Sequence, residues 1–336
     1  MTGNPAQAPT NSAGPAPIRR ATSLRRTSSL DVSWPEGRDG PMLVEGEARD
    51  AFTGGEGQAP VIVDGDRLRV VSSRQREIMS ISADRREADL QALVGARGGG
   101  HFRTIIAEAL PDEIERRSPL SFLLDDFSGA SLVSPWAWMR WENEFRDDKV
   151  ISPVMEGICS GFRPGSPSLM PDGRAKTSIQ SSTKVNSLVR EDDPAGWHRL
   201  DPQLGGPGMR RARRIDLWFE GDTVCMDVGF QDSAVLPEGG RAAVHEYHVV
   251  ATADRDMILR SVVVEPRVLP YVSCPAASGN ADRMVGTNLS ELGSAVPREL
   301  HGILGCTHLN DVLRLLSHVP KLSEQLHKHI NGNRAA

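Results

Sequence analysis

Apolar and polar positions alternate most clearly in the second half of the chain. Ile215-Asp-Leu-Trp-Phe-Glu-Gly reads as a short apolar strand closed by a turn, and Thr223–Phe230 follows it closely. Ala243–Thr252 is a third strand and Met257–Glu265 a fourth, with Ala253-Asp-Arg-Asp as the tight hairpin between them. Strands joined by such short loops predict an antiparallel meander. After Pro270 the period changes. Leu309, Val312, Leu313, Leu316 and Val319 recur at spacings of three and four, one face of an amphipathic helix. Pro320 kinks or ends that helix before Leu322 and Leu326 resume the stripe.

The first half repeats this plan. Leu30-Asp31-Val32 before Pro-Glu-Gly matches Ile215-Asp216-Leu217 before Phe-Glu-Gly, and Asp50 matches Asp232. The run from Arg69 to Met79 aligns without a gap on His248 to Ile258, and Leu123-Leu124 on Ile303-Leu304. The expected fold is therefore α+β: two tandem antiparallel meander-plus-helix repeats, residues 19–133 and 209–330, related by a pseudo-twofold axis. Residues 1–18, rich in Pro, Ala and Gly, are expected to form a disordered tail, and residues 134–208 a loop-rich connector. Arg19 to Ser29 resembles a basic phosphorylation motif.

Composition narrows the function classes. In 336 residues, 39% are hydrophobic and the net charge is −5, which leaves no global charge to capture nucleic acid. The basic run Arg210-Arg211-Ala-Arg-Arg214 has no interleaved aromatics and leads straight into a strand, against nucleic-acid binding. No apolar run is long enough for a membrane helix, and the start lacks a signal-peptide pattern. Four cysteines without an export signal read as reduced thiols in a cytoplasmic protein. A small-molecule partner is expected, without nucleic acid or membrane.

Candidate chemistry gathers at Gly305-Cys306-Thr307-His308-Leu309, which opens the last long helix. Thr307 is a good N-cap, which sets Cys306 and His308 at a helix N-terminus, where a thiol ionises more easily. His245-Glu246-Tyr247-His248 starts a strand, so His245 and Tyr247 share one sheet face and Glu246 and His248 the other. Cys274, Cys306 and His308 are candidate ligands for zinc or iron, and Cys159 lies in the connector. The repeat sets Cys306 opposite Asp126 and His308 opposite Ser128, so an acid from one copy can meet a thiol or imidazole from the other. Asp125 and Asp126 are expected to cap the helix that follows them. Trp136, Trp138 and Trp141 are candidate walls of a substrate pocket.

Arg213-Arg214-Ile215-Asp216, His245-Glu246, Cys274 and above all Gly305-Cys306-Thr307-His308-Leu309 resemble the bacterial domain of unknown function 2889 family, over roughly residues 25–320. Glu246 departs from the Asp expected after the histidine. The resemblance implies a shared fold and a shared Cys/His site, with no reaction attached. A looser likeness, in fold alone, is to NifU-like iron–sulfur scaffold proteins. The expected function is a small-molecule enzyme, a lyase, isomerase or hydrolase acting on an apolar or aromatic substrate. Its site would lie at the seam between the repeats, with Cys306, His308, His245, Glu246 and Asp126 as catalytic candidates. The alternative is a metal or iron–sulfur protein using Cys274, Cys306 and His308.

Overall fold

Nine antiparallel strands form one sheet in the computed structural model of the chain, which describes residues 7–142, 153–200 and 205–334. In chain order they are β1 (Ser23–Ser33), β2 (Met42–Thr53), β3 (Val61–Ser72), β4 (Ile78–Ala83), β5 (Thr183–Val185), β6 (Gly208–Glu220), β7 (Thr223–Val235), β8 (Arg241–Ala253) and β9 (Leu259–Val268). The spatial order is β4-β3-β2-β1-β6-β7-β8, with β5 and β9 both paired to β8. The helices are α1 (Glu87–Leu90), α2 (Phe102–Ala109), α3 (Pro111–Arg116), α4 (Pro119–Val133), α5 (Trp138–Trp141), α6 (Leu292–Glu299), α7 (Thr307–Leu315) and α8 (Val319–Arg334). The fold class is α+β, with both expected meanders present. The amphipathic stripe after Leu309 becomes α7 and α8, and Pro320 is the second residue of α8, where a missing N–H costs no hydrogen bond.

The two meanders meet where β1 and β6 pair antiparallel, from Ser23 opposite Trp218 to Ser33 opposite Gly208. This seam is charged rather than apolar. Arg25 forks onto Asp216 at 2.5 and 2.8 Å, and Arg210 forks onto Asp31 at 2.8 and 2.7 Å. Arg26 forks onto Asp50 at 2.6 and 2.6 Å, and Arg211 onto Asp232 at 2.8 and 3.0 Å. The spacing that matches Leu30 with Ile215 also matches Arg25 with Arg210, Arg26 with Arg211 and Asp31 with Asp216. Each half thus supplies the same cations and anions to the seam. Bidentate Arg–carboxylate pairs are the geometry in which buried charge is best compensated.

Apolar packing flanks that charge. One cluster joins β6–β9 with α6, α7 and α8 and borrows Leu24, Phe52 and Phe122 from the first half. The other joins β1–β4 with α2 and α4 and borrows Met209, Ala234, Leu236, Ala242 and Val244 from the second. Neither half closes a core alone.

Several expectations change. Arg210–Arg214 lies within β6, where alternation sends Arg211 and Arg213 to the helix face and Arg210 and Arg214 to the other, each arginine facing a carboxylate. Residues 23–29 are buried in β1, so the Arg/Ser run is a sheet strand and not an exposed modification motif. Residues 1–6 of the expected tail lie outside the described residues. The rest of it runs along the sheet, where Asn11 N–H donates to the Arg267 carbonyl at 2.8 Å and Leu269 N–H to the Pro9 carbonyl at 3.0 Å. The edge backbone of β9 offers hydrogen bonds that the composition of the tail does not reveal. Asp125 and Asp126 sit inside α4, whose N-cap is Ser118, its hydroxyl accepting from Ser121 N–H.

The connector covers the sheet face opposite the helices and inserts His198 there. Its ring nitrogens lie 2.9 Å from Thr27 Oγ1 and 2.7 Å from Ser29 Oγ. Burial, reinforced by Arg49 and Arg210, pushes its pKa down to about 3. An unfolded histidine takes a proton near pH 6.5, so the fold loses stability as pH falls below that value, by up to about 1.4 kcal/mol per pH unit. Denaturant midpoints of wild type and His198→Gln between about pH 7 and 4 should diverge, wild type falling faster. Parallel slopes would contradict this.

Candidate functional site

Three side chains from three elements meet on the helix face of the sheet. Asp232 lies near the end of β7, His245 opposite it on β8, and His308 in the first turn of α7. Antiparallel register places Asp232 and His245 side by side, and α7 lays His308 over them. The two imidazoles stack with centroids 3.4 Å apart and planes 19° off parallel. Both face the same carboxylate oxygen. His245 Nδ1 lies 3.3 Å and His308 Nε2 3.7 Å from Asp232 Oδ2. Among the described residues, this is the one group of three or more such ligand atoms lying within 4.8 Å of one another.

Electrostatics assigns each group a charge state. Burial alone would raise the Asp232 carboxyl, but Arg211 holds it well below the usual range, so it is ionised. Burial lowers the His245 pKa against the pull of Asp232, and lowers that of His308 further with His245 beside it. Both rings are neutral near pH 7, each with a lone pair to offer. His245 Nδ1 is buried and makes no well-aligned hydrogen bond, an uncommon state for a core imidazole. His308 is 18% exposed and forms the solvent side of the cluster.

Behind the cluster stands a buried ionic network. Arg211 reaches from Asp232 to Asp311 at 3.1 Å and toward Asp126 at 3.5 Å. Gly129 on α4 permits this, since a Cβ there would fall 1.7 Å from Arg211 Nη1. Arg103 ties Asp125 at 2.6 Å to Asp311 at 3.0 Å, so α4 and α7 are bridged by charge. Burial pushes Asp126 up to about 6, against the pull of Arg213 and Arg211.

The sequence candidates separate. His308 and His245 converge as expected, and Asp232 joins them. Asp126 does not touch either ring; Arg211 stands between it and Asp232. Glu246 faces the other side of the sheet, as alternation requires, and accepts from Ser12 Oγ at 2.9 Å and Gln231 Nε2 at 2.9 Å. Cys306 is the N-cap of α7, a position expected for Thr307. It is buried and accepts a hydrogen bond from the Tyr247 hydroxyl at 3.5 Å. Cys274 and Cys159 gather near Cys306 around Tyr247 and Gly161, and burial pushes both thiols up. The ligand set Cys274, Cys306 and His308 therefore does not form. Cys306 stands on extended backbone just before α7 and turns to Tyr247, whereas His308 lies in the first helical turn and turns to Asp232.

Each of the three tryptophans packs against protein groups. Trp136 is buried against Arg140, Trp138 packs edge-on to Trp34 at 5.5 Å, and Trp141 Nε1 donates to the Val235 carbonyl at 2.9 Å. They close the end of the first-half core rather than line the cluster.

Sequence reasoning missed Asp232 and Arg211 as site residues. The match of Asp50 with Asp232 across the halves was the available signal, since an aspartate recurring near a strand end needs a cationic partner when buried.

The family model described as protein of unknown function (DUF2889) matches residues 209–321, which contain Asp232, His245, Cys274, Cys306 and His308. No curated protein and no solved structure matches the chain.

Proposed function

Taking residues 209–321 as a member of that DUF2889 family, whose description assigns no activity, we propose that the chain is an enzyme acting on a small organic molecule by proton transfer at Asp232, His245 and His308. The observation that supports this is one carboxylate oxygen shared by two neutral, stacked imidazoles. Asp232 carries the charge and lies 3.3 Å from His245 Nδ1, where it would stabilise the imidazolium formed when His245 takes a proton. His308, the more exposed of the two rings at 18% against 10%, is the ring that reaches substrate. Cys306 and Tyr247 flank the cluster and position the start of α7. Lyase, isomerase or hydrolase chemistry needs no more than such acid–base groups.

The test is turnover of a metabolite pool followed by mass spectrometry. Wild type should consume at least one component, and His245→Asn should not, with the circular-dichroism spectrum unchanged. Equal consumption by both proteins would overturn the proposal.

A second reading uses the same three residues to hold a divalent cation, and zinc or iron fits two imidazoles and a carboxylate. Bonds of about 2.1 Å place neighbouring ligand atoms about 3–3.5 Å apart, close to the separations at Asp232 Oδ2. Arg211 takes one lone pair from each Asp232 oxygen and leaves another on Oδ2. Cobalt(II) added to the purified protein should give a d–d absorption band that His308→Ala abolishes. No band in wild type would remove this reading and leave the acid–base one standing.

A further inference from the structure

A cavity lies on the opposite side of the sheet from Asp232, His245 and His308. It encloses about 490 Å³ at the seam, with walls from β1, β2 and β3 on one side and β6, β8 and the connector on the other. Five arginines and three carboxylates line it. Most of that charge is matched. Arg210 forks onto Asp31, and Arg69 reaches Glu45 at 2.7 Å. Arg67 leans outward to Asp84 at 3.1 Å and also feels Glu47.

Arg241 is different. It donates through Nε to the Ser233 hydroxyl at 3.0 Å and through Nη2 to the Ser233 carbonyl at 2.5 Å. Both acceptors are neutral. A guanidinium has five N–H donors, so three remain beyond these two. Burial, with Arg210 nearby, pushes its pKa down to about 9, the mark of a desolvated cation with too little counter-charge. Arg199, from the connector, lines the same cavity. Val235 supplies an apolar wall beside Arg241. A cationic fork beside an apolar surface, in a cavity this size, is built for an organic anion.

We propose that this seam cavity binds a small organic oxyanion, a carboxylate or a phosphate monoester, with Arg241 as its principal anchor. The site is separate from the proposed catalytic cluster and does not depend on it. Because both halves wall the cavity, a bound anion would tie the two meanders together across the seam.

Calorimetry and thermal unfolding at matched ionic strength, with benzoate, phenyl phosphate and inorganic phosphate against chloride, test this. At least one of the three should bind wild type saturably and raise its melting temperature. Benzoate against phenyl phosphate separates the carboxylate from the phosphate ester, and inorganic phosphate reports the oxyanion alone. Arg241→Met should lower that affinity at least about tenfold, while its melting temperature without ligand stays level or rises, since a half-buried cation bonded only to neutral acceptors is gone. Arg241→Lys keeps the charge without the fork and should bind more weakly than wild type; it carries the test if the methionine variant does not fold. No saturable binding of any anion, or equal affinity in wild type and the folded variant, would overturn the proposal. So would a fall in stability of Arg241→Met with anion affinity unchanged, which would make Arg241 purely structural.

Discussion

Replacing Arg211 by methionine is expected to cost the fold about 3–5 kcal/mol, because it strands buried carboxylates without their cation. Arg211 is 1% exposed, and its guanidinium serves Asp232, Asp311 and Asp126 together. The methionine fills much of the same volume, so the loss reports charge more than cavity. Asp126, already pushed up to about 6, and Asp232, held ionised by Arg211, would both be driven toward protonation. The variant should therefore recover part of its stability as pH falls. Arg255→Gln is the control. Arg255 pairs with Asp222 on the surface, 73% and 68% exposed, and its loss should shift stability by no more than about 0.5 kcal/mol. Chemical denaturation of the three proteins measures the contrast. A cost for Arg211→Met below about 1 kcal/mol would show that the seam network is not needed for stability.

The second large effect is expected at Gly305, immediately before Cys306. Its backbone is extended, with φ −121°, so any residue tolerates the conformation. Space is the constraint. A Cβ there would lie 2.0 Å from the Leu300 carbonyl oxygen and 2.9 Å from Asn310 Nδ2, which itself donates to that carbonyl at 2.8 Å. The Gly305 carbonyl also accepts from Ser160 N–H at 2.8 Å, so the segment is held from both sides. Gly305→Ala must force the start of α7 and the Leu300 carbonyl apart. The expected cost is about 2–3 kcal/mol, within the usual range for overpacking. Cys306 and His308 move with that turn, so any turnover should fall in the variant that remains folded. Gly279→Ala, with nothing near the added methyl, should be neutral. Thermal melts of both variants decide it, and a melting temperature for Gly305→Ala equal to wild type would contradict the steric argument.

The strands and the last helices were legible because their signals are local. Alternation in 243–252 and the spacing of Leu309, Val312 and Leu313 each report one buried face. Alternation also placed His245 and Glu246 on opposite faces, and the structure keeps them there. What was not legible depends on partners far along the chain. Arg213 is buried in β6 because Asp126, 87 residues away, meets it. Nothing near Arg213 in sequence announces that partner. Residues 9–11 pair with the β9 edge, some 250 residues later in the chain, for the same reason. The members of the expected metal set separate because they take different partners. Cys306 and His308 lie close in sequence, yet one turns to Tyr247 and the other to Asp232.

Reciprocal forks run from Arg25 to Asp216 and from Arg210 to Asp31 where β1 and β6 pair antiparallel. The equivalence of Cys306 with Asp126 does not follow. Cys306 and Ser118 are the two N-caps, of α7 and α4, and they are the better match. That shift removes the paired carboxylates as counterparts of Cys306 and His308. It leaves the second half with an imidazole pair on Asp232, whereas Asp50, its sequence match in the first half, is forked by Arg26.

The proposal for Asp232, His245 and His308 is tested most directly by the turnover rate of His308→Asn against wild type, on whichever component of a metabolite pool wild type consumes. His308 is the solvent-side member of the cluster, so its loss should leave the core intact. With folding verified by circular dichroism, the rate is expected to fall by about a hundredfold or more, the usual contribution of a positioned acid–base group. A folded His308→Asn protein that turns over the same component within a fewfold of wild type would contradict the assignment.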